Sequence, residues 1–224
     1  MRDLLTHAVE DYLKTIYDLS LNYGRASTTQ IADVLDVAPA SVTGMVKKLT
    51  GTTPPLVEYQ KHRGVVLTPD GEKVALEIIR HHRLLELFLH ETLGYSWDEV
   101  DAEADLLEHV ISDKFEQRIA EVLGNPTHDP HGDPIPTRDL EIPSHATLCL
   151  SHLRPDERGS IQRVRDTDPE LLRYLSDHGV VPQASFTVTG FTSFDGNLTL
   201  LIDGQDKPVV LGTRITQQIF VEKE

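Results

Sequence analysis

The chain has 224 residues, is 39% hydrophobic, carries a formal net charge of −15 and contains one cysteine, Cys149. That length holds two domains or one large one, and a lone cysteine excludes a disulfide framework and fits a reducing compartment. No apolar stretch approaches the roughly 20 residues needed to span a bilayer and no start resembles a secretory signal, so a cytoplasmic protein without a membrane partner is expected.

The acidic sum hides an asymmetry. Residues 1–75 contain 8 Lys+Arg and 9 Asp+Glu, so almost all of the negative charge lies beyond them. In this near-neutral part the spacing predicts a helix over 7–20, with Val9, Tyr12, Leu13, Ile16 and Leu19 at helical intervals. A short helix over 27–36 follows, and after a tight connection a second one over 39–49. Pro39 sits in its first turn and Val42, Met45, Val46 and Leu49 share one side. The pair matches a helix-turn-helix whose second helix exposes Ser41, Thr43, Lys47 and Lys48, and Pro39 and Ala40 at its start join them as DNA-binding candidates. Residues 56–59 and 65–67 bracket Gln60-Lys61-His62-Arg63-Gly64. This predicts a hairpin with a basic tip, a wing suited to phosphate contact through Lys61 and Arg63. Double-stranded DNA is the partner this arrangement fits.

Thr68 and Pro69 start a long helix that runs to about residue 93 and stops at Gly94. On it His82 and Glu86 are four apart and share a face, whereas His81 and His90 read as ordinary imidazoles. Ser96 and Glu99 form a capping-box pattern that starts the next helix, expected to carry the run 98–109. There Asp101, Asp105, Glu108 and His109 fall within an arc of roughly 100°, opposite Val100, Ala104, Leu107, Val110 and Ile111. Crowded carboxylates repel one another and a cation removes that cost. Oxygen donors with one imidazole suit a divalent manganese or ferrous ion, and a solvated acidic face is the bland alternative. Val74, Ile78, Ile79, Leu85 and Leu89 on the long helix, with Leu107, Val110 and Ile111, offer apolar strips for a dimer. A third helix is expected over 113–123.

Residues 125–136 form a proline-rich loop, with a linker to about 144. The texture then changes to short strands, expected over 147–150, 159–164, 185–190, 198–202 and 215–221. Asp195-Gly196 supplies a hairpin turn, and one helix spans 168–178. A small, partly open β-barrel with one helix results. The fold class is thus mainly α with a small β domain, divided at 1–74, 75–143 and 144–224.

These residues together resemble the diphtheria-toxin-repressor family of metal-dependent transcription regulators, and the resemblance covers the whole chain. Its marks are Glu10-Asp11-Tyr12-Leu13 with Thr15-Ile16-Tyr17, then Pro39-Ala40-Ser41-Val42-Thr43, then His82-Arg83-Leu84-Leu85-Glu86, then Glu108-His109, and the loop from Pro130 to Pro136. The resemblance implies an N-terminal winged helix-turn-helix on a palindromic operator, a helical dimerisation domain that holds metal in a homodimer, and a C-terminal SH3-like domain. It places a primary metal site on Asp11, Asp105, Glu108 and His109. An ancillary site falls on His82, Glu86 and Asp101, with two further ligands from the C-terminal domain near 166–170, of which Glu170 is chosen as one. Two sites per subunit are expected. Asp11 and Asp105 stand where iron-type members carry methionine and cysteine, so the resemblance is to the manganese-responsive branch, with Mn(II) or Fe(II) as co-repressor of metal-uptake genes. Lys14 departs from the small manganese regulators, which have a glutamate there that helps to hold a second, adjacent metal. Two other classes stay open from the residues alone: a metalloenzyme with a carboxylate-rich helical site, and a metal-independent winged-helix regulator.

Overall fold

The computed structural model describes residues 5–165 and 168–224. The chain forms two compact units, one of residues 1–81 with 108–111 and 138–141, the other of 82–107 with 112–137 and 142–224.

In the first unit, α1 (His7–Tyr23), α2 (Thr28–Val34) and α3 (Pro39–Thr50) precede a two-stranded sheet of β1 (Val57–Gln60) and β2 (Gly64–Leu67). The apolar positions read from the sequence form its core, with Leu13, Ile16, Ile31, Val42 and Leu49 fully buried. Ser27 caps α2, accepting from the Gln30 backbone N–H at 3.1 Å, while the Gln30 side chain accepts from the Ser27 N–H at 3.0 Å. The strands pair in the hairpin register Gln60↔Gly64. Gly64, at φ 99°, lies so close to Ala26 that a Cβ would strike its carbonyl at 2.5 Å. This lets the segment before α2 pair with β2 through Ala26 and Val65. The helix-turn-helix and wing are thus as the sequence predicts.

Helix α4 (Pro69–Leu93) contributes residues up to His81 to the first unit and the rest to the second. Two expectations are corrected here. Val74, Ile78, Ile79, Leu85 and Leu89 are buried within this single chain, so they are core and not a free dimer strip. The exposed apolar side chains of the second unit include instead Leu93, Leu106, Phe115 and Val122. The second correction concerns α5 (Val100–Leu107), which starts and ends inside the expected range. The Ser96 N–H does donate to the Glu99 carboxylate at 3.1 Å, but helical residues begin only at Val100. Glu108 and His109 leave the helix for a turn in the first unit. There His81 Nδ1 donates to the Glu108 carbonyl at 3.2 Å.

After α6 (Asp113–Val122) the second unit continues into one open antiparallel sheet. Its strands are β3 (Leu148–Cys149), β4 (Arg158–Val164), β5 (Ser185–Phe191), β6 (Leu198–Ile202), β7 (Val209–Leu211) and β8 (Ile219–Lys223), in the order β3-β8-β4-β5-β6-β7. Its core joins Ile161, Phe186, Val188, Leu198, Leu200 and Val221 to Leu172 and Leu175 of α7 (Pro169–Asp177), and Trp97 packs into the same cluster. The last expected strand begins later than its β-branched residues suggest. Residues Thr213–Thr216 form a single helical turn, α8, because the Gly212 carbonyl accepts from both Ile215 and Thr216 at 3.0 Å. Strand β7 escaped the sequence reading because three residues are too few to show alternation.

Candidate metal centres and DNA-reading surface

Asp11 lies on α1, one position after the buried Glu10, and the turn after α5 brings Glu108 and His109 to it. One ligand atom from each of Asp11, Glu108 and His109 lies within 4.8 Å of the other two. His109 Nε2 is 2.8 Å from Asp11 Oδ1 and 3.5 Å from Glu108 Oε1. Its Nδ1 donates to Glu10 Oε2 at 2.6 Å. The carboxylate behind the imidazole orients the ring and leaves Nε2 for a cation. Hydrogen bonds to Asp11 and then Glu10 raise the His109 pKa to about 9, against the opposing effect of burial. His7 stacks on the ring, with centroids 4.8 Å apart. Glu108 is 1% exposed, and Lys14 Nζ donates to its Oε2 at 2.8 Å. Glu10 and Lys14 were not among the expected site residues, since pairs 99 and 94 residues apart leave no local pattern.

The second unit holds two further groups that share Glu86. In one, His82 Nε2 lies 3.5 Å from Glu86 Oε1 and 3.4 Å from Asp101 Oδ1. In the other, Glu86, Asp129 and His131 are all buried, and His131 Nδ1 lies 3.4 Å from Glu86 Oε1. His131 Nε2 donates to the Trp97 carbonyl at 2.8 Å, which turns Nδ1 towards Glu86. Burial pushes the Glu86 carboxyl up, but the His82 charge and hydrogen bonds from His131 and His82 outweigh it and hold it below the usual range. Burial, then the charges of Glu86 and Asp133, push Asp129 well up. The charges of Arg83, whose Nε lies 3.6 Å from Asp129 Oδ2, and of His131 act against that rise. Burial lowers the His131 pKa, yet the hydrogen bond and charge of Glu86 raise it to about 9.

The proline-rich loop is far from the surface segment its composition suggests. Asp129 Oδ1 accepts the backbone N–H groups of His131 and Asp133 at 2.9 Å each. Arg83 Nη1 donates to the Pro134 carbonyl at 2.6 Å, and Arg163 Nη1 reaches Asp133 at 3.2 Å. Gly132, at φ 84°, lies against the Gln162 backbone where a Cβ would collide. Asp129 and His131 were missed as site residues for this reason.

Among the remaining expected ligands, Asp105 is exposed in the second unit, with Oδ1 3.3 Å from His82 Nδ1. Glu170 is exposed on the first turn of α7, with its backbone N–H bonded to Asp168, and it is outside these ligand groups. Asp166, at the start of the region expected to supply it, lies outside the described residues.

The expected DNA-facing residues share one surface character. Pro39, Ala40, Ser41, Thr43, Lys47 and Lys48 are exposed on α3, and Lys61 and Arg63 are exposed at the hairpin tip. The Thr43 hydroxyl donates to the Pro39 carbonyl at 3.0 Å. No described helix is long and apolar enough to cross a membrane.

Comparison with known proteins covers nearly the whole chain. Residues 4–65 match the model of the iron-dependent repressor N-terminal DNA-binding domain, 68–137 that of the iron-dependent repressor metal-binding and dimerisation domain, and 148–223 that of the FeoA domain. The iron-dependent repressor IdeR of Mycobacterium leprae is 33% identical over 241 residues, with 100% of each chain covered. The regulator MntR of Lysinibacillus sphaericus is 37% identical over 118 residues, 53% of this chain and 83% of MntR. Among solved structures, a manganese-dependent transcriptional repressor in complex with manganese aligns with a TM-score of 0.86 at 36% identity, covering 96% of this chain and 100% of its own.

Proposed function

The chain belongs to the diphtheria-toxin-repressor family of metal-dependent, DNA-binding transcriptional regulators, and from that premise we propose that it is a cytoplasmic, manganese(II)- or iron(II)-activated repressor of metal-uptake genes. The family consists of transcriptional repressors, which sets aside the metalloenzyme and metal-independent readings. The observation that carries the choice of metal is the donor set of the first centre. Asp11, Glu108 and His109 converge to within 4.8 Å, and they offer hard oxygens and one imidazole without sulfur. Such donors suit manganese and ferrous ions. The buried Glu108 carboxylate and the imidazolium it faces make the site fit a cation, which would take over the neutralising role of the His109 proton.

Asp11, Glu108 and His109 would hold the first ion, with Asp105 as fourth donor. A second would be held through Glu86, with His82, Asp101 and Glu170 as one donor set and Asp129 and His131 as the other. A divalent ion supplies the charge that lets these carboxylates stay close together. The residues do the rest. Asp11 belongs to the helix that supplies Leu13 and Ile16 to the core of the winged helix, so joining it to Glu108 and His109 reduces the freedom of α1 and favours the DNA-competent population. We assign dimerisation to the segment 75–143, where Leu93, Leu106, Phe115 and Val122 are exposed, DNA binding to 1–74, and the SH3-like part to 144–224. A homodimer would present two α3 helices to a palindromic operator.

The test is duplex binding at saturating metal. Manganese and ferrous iron should activate more fully than zinc, which prefers tetrahedral coordination. Replacing Asp11 by methionine and Asp105 by cysteine should shift the order towards iron and the softer, later metals. An unchanged order would remove these aspartates as the basis of metal choice.

A further inference from the structure

Helix α3 carries a glycine at the middle of its twelve residues. Glycine there costs stability relative to alanine, because it loses more backbone freedom on folding. Packing does not call for it: a Cβ placed on Gly44 meets no atom within 4 Å. At about 100° per residue, Gly44 falls opposite the buried Val42, Val46 and Leu49 and at the centre of the exposed face. Ala40 and Ser41 lie one turn before it, and Lys47 and Lys48 one turn after. The Thr43 hydroxyl is turned back to the Pro39 carbonyl at 3.0 Å. The centre of the outward face is therefore bare backbone, with short side chains on one side and two ammonium groups on the other.

We propose that Gly44 is a specificity-determining position, at which the backbone of α3 meets the base edges directly. A helix with its side chains is about 10–12 Å across and the major groove is about 12 Å wide, so a missing side chain at the centre of the contact lets the axis approach more deeply. Ala40, Ser41 and Thr43 then reach base edges that a larger residue at 44 would hold away, while Lys47 and Lys48 contact phosphates. The inference rests on α3 being the helix that reads DNA.

The experiment uses the full chain with manganese and a duplex that it enriches from a random-sequence pool. Gly44→Ala should raise the thermal midpoint of the protein, weaken the selected duplex at least ten-fold, and leave binding to an unrelated duplex and its salt dependence unchanged. Lys47→Ala should weaken both duplexes alike. Equal affinity of Gly44→Ala for the selected duplex overturns the inference, as does an equal loss on both duplexes or a lowered thermal midpoint. If Lys47→Ala leaves both duplexes unaffected, or if the wild-type chain enriches no sequence, the premise that α3 reads DNA fails instead.

Discussion

The centre around His109 and the one around Glu86 use the same residue types and solve opposite electrostatic problems. At the first, Asp11 is 42% exposed and Glu108 is 1% exposed, and the buried carboxylate already has a cation in Lys14. At the second, Glu86 and Asp129 are both buried, and two imidazoles within 3.5 Å of Glu86 supply the balancing charge. Buried carboxylates without such partners would lose their charge, and Asp129 is met by Arg83, 3.6 Å from its Oδ2, and by two backbone N–H groups at its Oδ1. The first centre therefore suits exchange with a metal pool, because one donor faces water and one proton must leave. The second keeps Glu86, Asp129 and His131 buried, with Asp101 as its partly exposed member.

The largest expected effect tests whether the first centre controls DNA binding. Glu108→Ala or His109→Ala should reduce manganese-stimulated operator binding by more than about 100-fold, beyond what loss of an orienting residue costs. Fluorescence anisotropy reads the binding, and circular dichroism with size exclusion checks that a folded dimer remains. A folded variant that retained the metal response would move control to the second centre.

Glu86→Gln should act less severely. It removes the charge that both imidazoles face, so metal content should fall by one ion per subunit, with a loss of operator affinity of about 10-fold or less. Equilibrium dialysis with manganese reads the count. Unchanged content would mean that Glu86 balances charge without binding metal.

Proton release is common to the two centres. Metal must displace a proton from each imidazole it binds, and His109 and His131 both sit at about 9 against an ordinary 6.5. A raised pKa means that the apo form holds the proton through neutral pH, so metal affinity strengthens as pH rises. Between pH 6.5 and 8.5 the first centre should gain about tenfold per pH unit. The second should rise in the same sense, because His131 releases its proton. Calorimetry in buffers of different ionisation enthalpy would give the counts, and binding without proton release at either centre would contradict the raised imidazole pKa values.

The smallest effect belongs to Lys14. Lys14→Met removes a positive charge 2.8 Å from Glu108, so manganese should bind the first centre several-fold more tightly, at the expense of apo-protein stability. Weaker metal binding would show that Lys14 organises the centre and does not compete with the cation.

Local chemistry was legible in the residues. His82 and Glu86 meet because four residues make one helical turn, and the winged helix follows from apolar spacing, Pro39 and a hairpin bracketed by short strands. The ligand-rich run 101–109 was also visible, but its geometry was not. The helix ends at Leu107, and the next two residues pair with Lys14, Glu10 and Asp11 of α1.

What the sequence by itself determined is the residue inventory, the helix faces and the family. It could not identify which buried groups compensate one another. Partners of Glu108, His109 and Glu86 lie up to 99 residues away, and the loop with Asp129 and His131 resembles solvated chain until Arg83, Arg163 and the Trp97 carbonyl enclose it. Helical periodicity is set by the backbone within one turn, whereas charge balance in a low-dielectric interior depends on whatever the fold brings within a few ångströms. The tertiary structure alone decides that.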